Sequence, residues 1–238
     1  VHRNIAKKFG CNLYLSRLAE HGIDTSEQLV NLTAENYWES AKNAYAIGQK
    51  LGKKVILMGT STGGTLALML AAKYPDIASV ILLSPNIEIA DNKAWLLNNH
   101  WGLQIARMAK SSNYIESSDN REIYRQYWSS PYRIEAAVAL QELIETSMNQ
   151  ETFEAVKQPV LLLYYYKNEE EQDDVVKVSA MLEMFDQLGS PKNMKRSVAM
   201  PQTGHHVIGS YIKSKDVKSV INACEIFGEE VLKLPVAN

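Results

Sequence analysis

The chain has few cysteines, no surplus of charge of either sign and no long apolar run, and each lack excludes a class of protein. Cys11 and Cys224 are the two cysteines among 238 residues. Two are too few for a disulfide framework, and their separation matches no metal-ligand spacing. Cys11 precedes a strand-like run and Cys224 lies in a helical stretch, so both read as small buried apolar residues. Twenty-five Lys and Arg face 27 Asp and Glu, a net charge of −2, which is not the basic balance of a nucleic-acid binder. The longest apolar runs, Leu66 to Ala72 and Val160 to Leu163, fall far short of the roughly 20 residues a membrane span needs. An opening Met and an apolar signal segment are also missing. Val1 leads straight into His2 to Phe9, where Ile5 and Phe9 stand four apart before Gly10. That segment reads as the end of a helix, and a chain opening inside a helix reads as part of a longer one. The cytoplasm is then the default compartment, with export or anchoring of a longer parent chain left open.

What is present is ordinary globular material, 46% apolar and 22% charged. The length suits one large domain or two small ones. Such a chain buries roughly 70% of its unfolded surface and needs neither disulfide nor metal for stability. Short apolar runs alternate with amphipathic stretches, the mark of βα units and a mostly parallel sheet. The pattern predicts strands at Asn12–Ser16, Val55–Met58, Ser79–Leu83, Val160–Tyr166 and Met194–Met200, and helices over about 34–50, 62–73, 175–188 and 216–233. Val55–Met58 and Val80–Leu83 do not alternate, as expected of strands covered on both faces. Between Pro85 and Pro159 no strand is expected. Trp95–Lys110, Arg121–Trp128 and Ile134–Lys157 are helical in period and rich in Trp and Tyr. The division is a core over 1–85 and 158–238 with a helical cap inserted over 86–157. Trp38, Trp95, Trp101 and Trp128 are read as core or cap packing, with cap aromatics available to line an acyl pocket.

The strongest local signal is Val55-Ile-Leu-Met-Gly59-Thr-Ser61-Thr-Gly63-Gly64-Thr-Leu-Ala-Leu68, a buried strand running through Gly-x-Ser-x-Gly into an apolar helix. A serine on such a strand-to-helix turn has strained backbone angles and no room for neighbouring side chains. Glycines at 59 and 63 would permit the close approach. Ser61 Oγ would project above the sheet at the positive end of the next helix, with the Thr62 N–H aimed at the oxyanion of an acyl-transfer intermediate. No Gly-Lys-Ser/Thr follows, which excludes a Walker-type phosphate loop.

A serine hydroxyl needs a base. Of five histidines, His2, His21, His100, His205 and His206, only the last two fall in a loop just past the final strand. The base needs a carboxylate to fix its tautomer. The loop after Val160–Tyr166 offers Glu169, Glu170, Glu171, Asp173 and Asp174. Serine, then acid, then histidine is the chain order of a nucleophile-elbow hydrolase.

With these residues in view, the chain resembles an α/β-hydrolase of the carboxylesterase and monoacylglycerol-lipase type over essentially its whole length. Arg17-Leu-Ala-Glu20-His21-Gly22 resembles that family's Arg-Leu-x-Gly-His-Gly loop, with Glu20 where a glycine is common. Val55–Gly64 matches the elbow, with threonines at 60 and 62 in place of bulkier residues. Asp173-Asp174-Val175-Val176 resembles its Asp-x-Val-Val acid motif, and Gly204-x-His206-Val207-Ile208 its His-Val-Ile segment. The resemblance implies a triad of Ser61, Asp173 and His206, with Asp174 and His205 the neighbouring alternatives, and makes His21 structural. It implies a serine hydrolase cleaving small carboxylic esters with an apolar acyl group, without metal or organic cofactor and without nucleic acid. A thioesterase, acyltransferase or aminopeptidase on the same triad, or a non-catalytic binding module on the same scaffold, are the other readings. The family carries about three further strands and a His-Gly loop that supplies the second oxyanion N–H. Their lack before His2 predicts half an oxyanion hole and an exposed sheet edge, which invites association with another chain, as in a homo-oligomer.

Overall fold

A computed structural model describes residues 1–22 and 25–237. The elements in order are α1 (His2–Lys8), α2 (Ala34–Leu51), β1 (Ile56–Ser61), α3 (Thr62–Lys73), β2 (Ser79–Pro85), α4 (Gly102–Lys110), β3 (Tyr114–Ile115), α5 (Glu122–Arg125), β4 (Tyr132–Arg133), α6 (Glu135–Ser147), α7 (Gln150–Ala155), β5 (Val160–Tyr164), α8 (Val178–Gln187), β6 (Lys195–Ala199) and α9 (Val217–Glu230). The main sheet is wholly parallel in the order β1-β2-β5-β6. The short β3 and β4 form a separate antiparallel pair.

The central strands are buried on both faces, and their residues divide by parity. Val80, Leu82, Val160 and Leu162 face one core with α2, α3 and α8, while Ile81, Leu83, Leu161 and Leu163 face another with α1 and α9. Period-2 alternation of direction with no alternation of polarity is what two covered faces require. Helix faces follow the 3.6 period: Tyr37, Ala41 and Tyr45 on α2, and Val220, Cys224 and Phe227 on α9, are buried. Thr33 and Asn36 form a capping box on α2. At the far end of α3, the Gln158 amide donates to the Ala71 and Tyr74 carbonyls, satisfying acceptors that the helix leaves open.

Six expectations need correction. Strands β3 and β4 pair between Pro85 and Pro159, where the sequence predicts no strand, and only Glu122–Arg125 of the stretch Arg121–Trp128 is helical. Residues 11–18 form neither strand nor helix, and Leu13, Tyr14 and Leu15 are exposed. Strand-like residue types form a strand only against a hydrogen-bonded neighbour, and β1, the sheet's edge, pairs only with β2. Cys11 belongs to this segment and is exposed, whereas Cys224 is buried. The stretch Trp95–Lys110 is broken: a 3-10 turn over Ala94–Asn98 precedes α4, and Trp95 and Trp101 are 58% and 63% exposed rather than packed. The stretch Ile134–Lys157 is likewise two helices, divided where Asn149 caps α7 by accepting from the Thr152 N–H at 3.1 Å.

The segment between β2 and β5 divides its allegiance. Ala136, Ala139, Leu143 and Phe153 join the core around α3, so α6 and α7 pack as part of the body. The outer part, α4 to β4, is tied down by ion pairs. Arg133 pairs with Glu27 and Glu135, and Glu135 also takes Arg107 at 2.5 Å. No helix among the described residues is long and apolar enough to cross a membrane.

Candidate active site

Ser61 ends β1 at φ 53° and ψ −124°, a positive φ that L-residues seldom adopt. The pairing of β1 with β2 slips there, so that Thr60 faces Leu83 and Ser61 faces Pro85. Ser84, the skipped residue, also has a positive φ of 45°. Strain of this kind persists only where the surroundings fix it, and here glycines make the room. A Cβ on Gly59 would overlap the Gly63 carbonyl, and one on Gly64 would lie 2.7 Å from Pro85 Cβ. Gly63 itself has nothing within 4 Å of that position. The tight second glycine is therefore Gly64, not the Gly63 that the motif suggested. Thr62 opens α3, where backbone N–H groups lack helical partners.

The acid and the base meet. His206 Nδ1 lies 2.7 Å from Asp173 Oδ2, and both side chains are buried. Asp173 Oδ1 accepts from the N–H groups of Val175 and Val176 at 3.0 and 3.1 Å, which orients the carboxylate. A carboxylate only accepts, so Nδ1 carries the proton and Nε2 presents a lone pair. His206 Nε2 is buried without a hydrogen-bond partner among the described residues. Asp174 is exposed, which separates the doubled aspartates. His205 accepts the Val207 N–H on Nδ1 at 2.9 Å. Partial burial, reinforced by Lys213 and His206, pulls its pKa below the usual imidazole range.

Topology carries the loop that bears His206 back toward the carboxyl end of β1. Strands β2 and β5 separate β1 from β6, but the loop after β6 runs back over their carboxyl ends. A Cβ on Gly209 would lie 2.9 Å from Leu83 Cδ1 on β2 and 4.0 Å from Thr60 Oγ1 on β1. No hydrogen bond joins Ser61 to His206 in this geometry. Catalytic hydrogen bonds are commonly long before substrate arrives.

Ser61 and Thr62 open onto a cleft of about 660 Å³, within the usual range for small-ligand sites. Its other walls include Leu29, Leu32 and Tyr37 from the body and Trp128, Tyr132 and Leu140 from the inserted segment. Arg125, Gln126 and Tyr127 complete the outer rim. His206 is not among the lining side chains. His21 lines the floor: Nδ1 lies 2.8 Å from the Ala19 carbonyl, and Nε2 lies 3.4 Å from the Tyr37 hydroxyl. The carbonyl makes Nδ1 a donor, so Nε2 accepts from Tyr37 and the ring is spent on structure. Burial raises the pKa of Tyr37 and Tyr132, keeping both phenols neutral. Of the four tryptophans only Trp128 reaches the cleft, while Trp38 is half-buried against the core and flanked by Lys42 and Lys73. Tyr37 of α2 and Arg125, Tyr127 and Tyr132 of the inserted segment escape a motif search, because nothing in the sequence shows which face of α2 or of the cap meets the elbow. No group of three or more His, Cys, Asp or Glu among the described residues could hold a metal ion.

Comparison with known proteins places this fold. A lipolytic enzyme from work on the metagenome-derived LipS and LipT superposes with a TM-score of 0.70 at 16% identity, over 89% of this chain and 79% of that one. A protein from Agrobacterium vitis described as a hydrolase gives 0.56 at 18% identity, over 89% and 74%. Est1E from Butyrivibrio proteoclasticus, with ferulic acid bound, gives 0.51 at 15% identity, over 85% and 70%. No curated protein sequence matches the chain. At such identities the structures establish the fold. The family model described as serine aminopeptidase, S33, matches residues 34–209, from the start of α2 to the loop beyond His206. That span is more than half of the chain and holds the elbow, the acid and the histidine, so the chain belongs to the S33 family of α/β-hydrolases.

Proposed function

We propose that the protein is a serine hydrolase of carboxylic esters acting through Ser61, His206 and Asp173. The observation that carries the reading is the buried 2.7 Å pair of His206 Nδ1 and Asp173 Oδ2, which leaves Nε2 unpartnered in a chain whose Ser61 stands on a strained strand-to-helix turn. Nε2 would take the Ser61 proton as Oγ attacks the acyl carbonyl, and Asp173 would hold the imidazolium that forms. The Thr62 N–H would receive the developing oxyanion. Protonation of the leaving alkoxide by His206, then attack by water activated by the same Nε2, would clear the acyl-enzyme. Apolar and aromatic walls suit a small ester with an apolar acyl portion, and the likeness to a lipolytic enzyme supports ester chemistry as such. The inserted segment would act as a cap over this cleft, since residues 125–140 contribute to its walls.

The family's description favours a second reading, release of N-terminal amino acids from peptides. Recognition of a free α-ammonium calls for a carboxylate, and no Asp or Glu lines the cleft among the described residues. The test pairs a fluorophosphonate probe with p-nitrophenyl esters of increasing chain length and aminoacyl p-nitroanilides. Labelling lost in Ser61→Ala with ester turnover supports the proposal. Turnover of the anilides alone supports the peptidase, and absence of labelling in the folded protein points to a binding module.

A further inference from the structure

The cleft beside Ser61 has an unbalanced charge. Arg125 is the one formally charged side chain among its described lining residues, and the others are apolar, aromatic or neutral polar. Three acids of the surrounding segments are engaged elsewhere: Asp119 with Arg121 and Lys213, Glu27 with Arg133 and Tyr114, Glu135 with Arg107 and Arg133. Arg125 donates to the neutral Asn120 Oδ1 at 3.3 Å and has no ion pair among the described residues, Glu122 on the same helical turn included. A guanidinium has five N–H donors in a planar fork, so most of this one's capacity faces cleft or solvent.

The turn that carries Arg125 is well anchored. Tyr124 is buried, stacks on Trp128 with centroids 4.8 Å apart and planes 7° apart, and lies 4.3 Å below Lys213 Nζ. The Arg121 guanidinium donates to the Ile212 carbonyl at 2.9 Å, fixing the same turn to the loop that follows His206. A cation on a fixed base, at the rim of a cleft with apolar walls and no counter-ion among the described residues, focuses a positive potential on whatever enters.

We infer that Arg125 is the specificity-determining residue of this cleft, and that the substrate is an ester carrying a second group, a carboxylate, held by its guanidinium. The inference rests on the ester-hydrolase reading of the same site. One guanidinium without a second cation suits a singly charged carboxylate, which it can meet through two parallel N–H···O bonds. The ester carbonyl then lies at Ser61 while the carboxylate stays at the rim beside Tyr127.

The test uses p-nitrophenyl hemi-esters of succinate, glutarate and adipate beside the same compounds with the free carboxylate capped as a methyl amide. The expected result is a kcat/KM at least ten-fold higher for the best hemi-ester than for its capped form. That ratio should fall toward one in Arg125→Gln and recover in part in Arg125→Lys. A ratio of one in the wild type, or a ratio that survives Arg125→Gln, overturns the inference. Binding of glutaric acid monoamide to Ser61→Ala, with and without Arg125→Gln, reads the same contact without turnover, and at least a ten-fold weakening is expected. If no ester is cleaved yet this binding depends on Arg125, the carboxylate site stands and the ester reading falls. If capped and free esters are cleaved alike and the monoamide binds independently of Arg125, the ester reading stands and the carboxylate site falls.

Discussion

At the scale of single residues, doubled motifs are where sequence and structure part, and burial separates the members. Asp173 is buried, accepts two backbone N–H groups and holds His206, while Asp174 faces solvent. Asp173→Asn presents an amide to Nδ1, favours the wrong tautomer and should lower kcat by about 10⁴ where a comparable triad has been tested. Asp174→Asn should cost less than ten-fold, and a reversed order in steady-state assays would move the acid by one position. The paired glycines give a second contrast. A Cβ on Gly64 would sit 2.7 Å and 3.0 Å from Pro85 Cβ and Cα, against a strand end that cannot yield cheaply. Gly64→Ala should destabilise by about 1–3 kcal/mol. Gly63 has free space, so Gly63→Ala should be neutral or stabilise by up to about 1 kcal/mol through helix propensity. Urea unfolding of the two variants reads the difference. The motifs named Asp173 and His206, and the structure brings these two together because chain order and strand topology constrain the loops after β5 and β6 to one sheet edge. The elbow motif mistook the tight glycine because packing against Pro85, a residue of another strand, is not written in it.

At the scale of elements, legibility followed hydrogen-bonding needs. Four strands and the long helices were readable because their apolar runs or periods are strong and their partners lie within the same βα succession. The run Asn12–Ser16 has strand-like residues but no strand beside it. The pair β3 and β4, two residues each, is too short for any period and is set by a salt-bridge cluster instead. A similar device fastens the cap's outer turn to the histidine loop. Asp119 receives Lys213 Nζ at 2.7 Å and Arg121 Nη2 at 2.7 Å. The Arg121 hydrogen bond, followed by that from Lys213, holds the Asp119 carboxyl far below its ordinary range. A carboxylate with a depressed folded pKa stabilises fully above its unfolded pKa, about 3.9, and loses that contribution as pH falls toward the folded value. Melting temperatures of wild type and Asp119→Asn should therefore differ most above about pH 5 and converge as the pH drops below about 3. An equal gap across that range would mean that the charge of Asp119 is not what fastens the turn.

At the scale of the whole molecule, one sheet separates two cores, and the catalytic candidates stand on its carboxyl edge between them. Leu68 of α3 is fully buried with Leu82 and Leu162 on one side, and Val220 of α9 is fully buried with Leu161 and Leu163 on the other. The strands are continuous across both, so the sheet is the shared wall, while the apolar contacts of Leu68 and Val220 have no member in common. Leu68→Ala removes three carbons from a site walled by strands and helices, and should cost about 2–5 kcal/mol. Val220→Ala removes two carbons and should cost less. Perturbations with no shared partners add within about 0.5 kcal/mol. The double variant should then lose the sum of the two in urea unfolding, with a single cooperative transition because both cores lean on the same strands. A coupling well above 0.5 kcal/mol would show that strain crosses the sheet. Displacement of either core would then reach the loops that carry Asp173 and His206, and, on the proposed triad, a core substitution on the α9 side would lower activity before it unfolded the chain.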